Sequence, residues 1–228
     1  MKVIFDFDDV IFNAKQFKRE LFWVLESHGY VDVSQLYEKA RSSGEPFSLR
    51  AFIKAIDGTL SEDSFASLYE TIIQKSKHLV NEEIFRLMKS LGKDNCYIVT
   101  NGVEEFQLDK IRRSIGEDSY REVIVVSGDK REAITMLCKR HGDEEVIFVD
   151  DKIAFLNALD FEQCKNLKTV LFNEHGFGNL VAEIEASQRG EAQLEEEEAF
   201  KKRRPKLDSG HTSPPSPHEV NHPIMGLR

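Results

Sequence analysis

The residues that most constrain this chain are Val3-Ile4-Phe5-Asp6-Phe7-Asp8-Asp9-Val10. An apolar run at the very start reads as a buried strand, and it breaks abruptly into acids. Side chains alternate faces along a strand, so Asp6 and Asp8, two apart, point the same way where the strand gives out. Two carboxylates held together there repel unless something positive lies between them. A divalent cation and a lysine from elsewhere in the chain are the chemical candidates. Taken alone, an Asp-x-Asp is only the polar end of a strand, and its meaning depends on how the other strands end.

Those strands lie in the second half of the chain. Cys96 to Val99, Glu122 to Val126, Glu145 to Val149 and Thr169 to Phe172 are continuous apolar runs. Amphipathic helices separate them at 104–114, 131–140 and 153–159, and Leu180 to Ala186 begins a last one. The pattern predicts an α/β fold: a parallel, Rossmann-like sheet with helices on both faces. Between the first two strands the spacing is helical at 14–28, 33–40, 49–56, in a run that Ser61 caps, and at 82–90. Ser48 caps the helix at 49–56. Four helices in a row are too many for a simple crossover. The expected organisation is a core of residues 1–13 and 81–185, a small α-helical cap at 14–80, and a tail at 186–228.

The tail is expected to be disordered. It contains Glu195 to Glu198, a basic run from Lys201 to Lys206 and five of the six prolines, with almost nothing apolar to bury. A frayed acidic helix is expected at its root. The basic run reads as a solvated charge block before it reads as an import or anion-binding patch. A net charge of -9 argues against broad binding to nucleic-acid backbone. The first nine residues carry three acids and no basic leader, so no signal peptide is expected, and no apolar run is long enough for a membrane span. Three scattered cysteines fit reduced core thiols in a cytoplasmic protein. No feature sets an oligomeric state.

The residues just past each strand carry the chemistry. The first strand ends in Asp6-Phe7-Asp8, the second in Thr100-Asn101-Gly102, the third in Ser127-Gly128-Asp129-Lys130, and the fourth in Asp150-Asp151-Lys152. Each has an ordinary explanation as a cap or a solvated side chain. Ligands of parallel sheets gather at the carboxyl ends of the strands, however, and all four sets fall there. Together they describe phosphoryl transfer onto a carboxylate. An anion attacking an anion needs its charge neutralised, since unit charges 4 Å apart repel by about 4 kcal/mol at an effective dielectric of 20. Oxygen ligands without a histidine cluster favour magnesium, and a second acid, Asp8, is placed to move the proton.

These four stretches resemble the motifs of the haloacid dehalogenase (HAD) superfamily of hydrolases, and the resemblance runs over residues 1 to about 180. It implies Asp6 as nucleophile, Asp8 as general acid and base, and Thr100, Asn101 and Lys130 on the phosphoryl oxygens. It also implies Mg2+ on the Asp6 carboxylate, the Asp8 carbonyl and Asp150, with Asp151 as a further candidate ligand. The second aspartate resembles the phosphatases of the superfamily more than its dehalogenases. Asp9 stands where glycine is common, and the glycine that usually precedes the fourth motif is missing.

The expected function is a Mg2+-dependent phosphatase acting on a small phosphorylated metabolite. A phosphomutase of the same fold and a non-catalytic binding protein on the same scaffold are the rivals. A signalling receiver domain is set aside because its phosphorylated acid lies on a middle strand. Arg50 and Lys54, one helical turn apart in the cap, read as a solvated face or as contacts to an anionic substrate. Trp23 is expected in the cap core, and the histidines form no ligand grouping.

Overall fold

The apolar run at the amino terminus forms a strand at the centre of a sheet. The computed structural model describes residues 1–42 and 44–203. Its strands are β1 (Lys2–Phe5), β2 (Cys96–Asn101), β3 (Glu122–Val126), β4 (Val146–Asp150) and β5 (Leu167–Leu171), all parallel, in the order β3-β2-β1-β4-β5. Val3, Ile4 and Phe5 are fully buried because both faces of the sheet are covered. Val3 and Phe5 pack with Ile98, Ile147 and Val149 on one face, and Ile4 packs with Tyr97, Val99 and Phe148 on the other. Phe5 is in register with both Ile98 and Val149, so β4 runs one residue past β1, and β2 runs three past it, with Thr100 and Asn101 as its last residues. That register brings the residues after the strands to one rim.

Between β1 and β2 lie α1 (Ala14–Ser27), α2 (Val33–Arg41), α3 (Leu49–Ile56), α4 (Glu62–Ile73), a 3-10 turn (Gln74–His78) and α5 (Glu82–Leu91). Ser48 and Ser61 cap α3 and α4 by accepting from the backbone N–H of Ala51 and Ser64, as their positions predict. After β2 the helices are α6 (Glu104–Ser114), α7 (Arg131–Arg140), α8 (Ile153–Asn157) and α9 (Gly176–Arg203). The inserted helices share one continuous hydrophobic core with a face of the sheet: Phe17, Leu21, Phe52 and Ile72 belong to the same cluster as Val3 and Phe5.

The chain divides into two units, residues 1–190 and 191–228. In the first, α9 buries Leu180 and Ile184. In the second, the described part of α9 is helical to Arg203, past residue 186 where the tail was expected to start. The rest of the expected tail, 204–228 with its proline-rich stretch, lies outside the described residues.

Trp23 corrects the expectation for it. The buried face of α1 is Phe17, Leu21, Val24 and Leu25. Trp23 sits two positions from Leu21, off that stripe, and is 61% exposed under the Lys75 ammonium. β5 also starts two residues earlier than its apolar run suggests, because Leu167 pairs with Val146.

Candidate active site

Asp6 follows directly on β1, which fixes its backbone by a hydrogen bond from its N–H to the Val149 carbonyl. Its carboxylate is buried, accepts from the Phe7 N–H, and lies 2.8 Å from the Lys130 ammonium. Lys130 stands at the start of α7 and is 1% exposed. Its Nζ also donates to Asp150 Oδ2 at 2.6 Å, so one ammonium bridges two carboxylates. The other Asp150 oxygen accepts from the Lys152 N–H, which holds the turn after β4.

One carboxylate oxygen from each of Asp6, Asp150 and Asp151 lies within 4.8 Å of the others. Burial pushes the Asp6 pKa up, Lys130 pulls it back, and Asp150 raises it again, leaving it at about 7. Burial likewise raises that of Asp151, against the pull of Lys152 and with a push from Asp150 and Asp9. Asp151 Oδ1 and the Thr100 hydroxyl are buried and have no hydrogen-bond partner among the described residues. A buried polar atom left unpaired is costly unless something absent from the protein alone completes it. Three carboxylates share the buried Lys130 ammonium and the half-exposed Lys152, 3.9 Å from Asp151 Oδ1, so negative charge is in excess, and the donor set is all oxygen. The site therefore fits a hard divalent cation such as magnesium.

Asp8 faces a second cation. Its Oδ1 accepts from Lys110 Nζ at 2.6 Å and its Oδ2 from Gln107 Nε2 at 3.0 Å. Burial would raise its pKa, but Lys110, by charge and hydrogen bond, and then Gln107 bring it below the ordinary aspartate value. Lys110 is itself 3% exposed, with Nζ 4.9, 5.2 and 5.4 Å from the ring centroids of Phe106, Phe12 and Phe7. Sequence reasoning named neither Gln107 nor Lys110. The available signal was Gly102: a Cβ there would lie 2.6 Å from Gln107 Nε2, so glycine leaves the amide room to reach Asp8 and the Asn101 carbonyl.

Asn101 does not cap α6, whose N-cap is Val103. It donates its amide to the Gly128 carbonyl, tying the loop after β2 to the loop after β3. Asp9 takes the left-handed backbone, φ 61°, that its tolerance for that region allows. Arg50 pairs with Glu105 at 2.6 Å and lies over the Tyr69 ring, and Lys54 lies over Phe65. Neither lines the cavity of about 480 Å³ that contains Asp8, Asp9, Asn101 and Lys110.

No family model and no curated protein matches the sequence. Solved structures do match. A candidate haloacid dehalogenase-like hydrolase from Burkholderia xenovorans is 17% identical, over 77% of this chain and 83% of its own, with a TM-score of 0.57. A candidate β-phosphoglucomutase from Thermotoga maritima is 18% identical, over 76% and 87%, with a TM-score of 0.50. With its parallel sheet, its helices inserted after the first strand and its acids at the strand ends, the chain is built on the fold of the haloacid dehalogenase superfamily.

Proposed function

We propose that the protein is a phosphatase that uses Mg2+ and hydrolyses a small phosphorylated metabolite through a phosphoryl group carried on Asp6. The observation that supports it most is the buried Lys130 ammonium bridging Asp6 and Asp150, with one oxygen each of Asp6, Asp150 and Asp151 within 4.8 Å of the others. Magnesium bound by Asp6, Asp150 and Asp151, with the Asp8 carbonyl, would offset the negative charge that gathers when an acid meets a phosphate ester.

The side chains then have distinct tasks. Thr100, Asn101 and Lys130 bind and orient the phosphoryl oxygens. An Asp6 oxygen forms a bond to phosphorus as the ester oxygen leaves. Asp8 and Lys110, 2.6 Å apart, form the proton-transfer pair: the leaving oxygen takes a proton from it, and the water that cleaves the aspartyl-phosphate returns one. Inorganic phosphate and free Asp6 result.

Among the described residues no helix is long and apolar enough to cross a membrane. The three cysteines are free and buried, which suits a reducing, cytoplasmic compartment. The test is hydrolysis of p-nitrophenyl phosphate. Turnover should require Mg2+, release inorganic phosphate in step with the alcohol, and fall at least about a thousandfold in Asp6→Asn, whose amide is a far poorer nucleophile. Wild-type turnover in that variant would refute the assignment.

A further inference from the structure

The cavity beside Asp8 is walled by aromatic rings from both the inserted helices and the core. Phe17 lies 5.9 Å from Phe106 between ring centroids, Phe106 lies 5.8 Å from Phe47, and Phe47 lies 4.9 Å from Tyr37. All four line the cavity, and the chain of contacts is unbroken. Among the described residues, the inserted helices and their loops otherwise contribute only the apolar Ala14, Leu21 and Pro46 and the cations Lys18 and Arg41. Those residues include no serine, threonine, asparagine, glutamine or carboxylate. The polar lining is on the core side: Asp8, Asp9, Asn101, Lys110, Lys152 and Gln107. The Gln107 amide nitrogen is committed to Asp8 and the Asn101 carbonyl, and its Oε1 is buried without a hydrogen-bond partner among the described residues.

That lining discriminates between substrate bodies. A polyhydroxylated sugar brings several hydroxyls that lose their water on entry, and each needs a hydrogen-bond partner to avoid a penalty. Among its described residues, the inserted wall has one neutral polar group for them, the Tyr37 hydroxyl. A planar ring loses nothing comparable and gains from stacking on Phe47 and Tyr37. The two cations sit near Tyr37: Lys18 Nζ is 4.6 Å from its ring centroid, and Arg41 follows it by one turn of α2. Lys18 pairs with Glu38 at 2.6 Å, whereas Arg41 has no carboxylate partner among the described residues.

Resting on the phosphatase reading, we infer that the substrate is a phosphate ester of an aromatic alcohol bearing a second negative charge, its ring on the Phe47–Tyr37 wall and its charge at Arg41. The phosphate occupies the end lined by Asp8 and Asn101, two residues on from Asp6 and one on from Thr100, and the ring fills the cavity in place of a sugar.

Three primary-alcohol esters test this with leaving groups of similar reactivity: 4-carboxybenzyl phosphate, benzyl phosphate and glucose 6-phosphate. With the full chain and Mg2+, kcat/KM for benzyl phosphate should exceed that for glucose 6-phosphate about tenfold. The carboxylate should add about fivefold. In Arg41→Gln the ratio of carboxybenzyl to benzyl ester should collapse to about one. In Tyr37→Leu, which keeps apolar bulk, the benzyl preference over glucose 6-phosphate should shrink severalfold. Glucose 6-phosphate hydrolysed as well as the benzyl ester, or an unchanged ratio in Arg41→Gln, would overturn the inference and leave the phosphatase reading standing. Calorimetric binding of the same esters to Asp6→Asn separates the opposite failure. Tighter binding of the aromatic esters with no turnover by the wild type would keep the cavity assignment and remove the phosphatase. Absence of both binding and turnover of the aromatic esters would overturn the inference.

Discussion

Asp6 is the residue in which burial and charge conflict most. It is 2% exposed and faces Lys130, yet its pKa rises to about 7, because one ammonium shared with Asp150 does not offset the loss of water. A carboxyl whose folded pKa lies above its unfolded value stabilises the fold fully below the unfolded pKa, near 3.8, and that contribution is lost as pH rises through about 7. A divalent cation needs the ionised carboxylate, so it competes with the proton below this range and offsets the loss above it. Magnesium should therefore raise the melting temperature more at pH 8 than at pH 5.5, measured against protein in EDTA. An equal gain at both would show that Asp6 does not hold the ion. The residues of this cluster were legible in the sequence because strands end abruptly: Asp6, Lys130 and Asp150 each close or follow an apolar run. Asp151 was legible only as a neighbour of Asp150, and the burial of its Oδ1 without a hydrogen bond needed the fold.

Helix α6 joins the site to the inserted helices. Its Gln107 and Lys110, one turn apart, reach Asp8. Other positions on it bind the insertion: Glu105 to Arg50, Asp109 to the Tyr69 hydroxyl at 2.6 Å, and Arg113 to Glu70 through two hydrogen bonds. The structural need to anchor one helix thus fixes the group that faces Asp8. Replacing Lys110 with Met keeps the length of the side chain among Phe7, Phe12 and Phe106 but removes the charge. The expected result is a kcat lower by about ten- to a hundredfold with KM changed much less, since the phosphate contacts proposed for Thr100 and Lys130 would remain. A change confined to KM would place Lys110 in substrate binding instead. This helix was legible as a helix, but not its task. A polar residue that turns inward to meet a distant acid has the same spacing as one in solvent, and Trp23 shows the converse, a large apolar side chain left outside its stripe. Both facts depend on which other elements pack against the helix.

At the scale of the molecule, the sheet order places β1 in the middle and its acids at the rim, while the inserted helices extend the core instead of forming a separate one. The alternation of strands and helices made the parallel sheet legible, whereas the shared core was not, because apolar stripes on α1 and α3 do not say what they cover. The last buried positions of the first unit, Leu180, Ile184 and Ser187, lie close to the expected end of the core, and the helix continues beyond them where an acidic helix was expected at the root of the tail. Truncation separates the two contributions. Ending the chain after Gly190 retains every buried residue of the first unit, so activity and melting temperature should stay within a few per cent and about 2 °C of the full chain. Ending it before Gly176 uncovers the partners of Leu180 and Ile184, each worth about 1.5–3 kcal/mol when fully buried. That loss is a large part of the stability of an ordinary domain, so the shorter protein should melt many degrees lower. Activity lost on the first cut would mean that the residues beyond 190 contribute to catalysis, and an unchanged melting temperature on the second would mean that α9 is not part of the core.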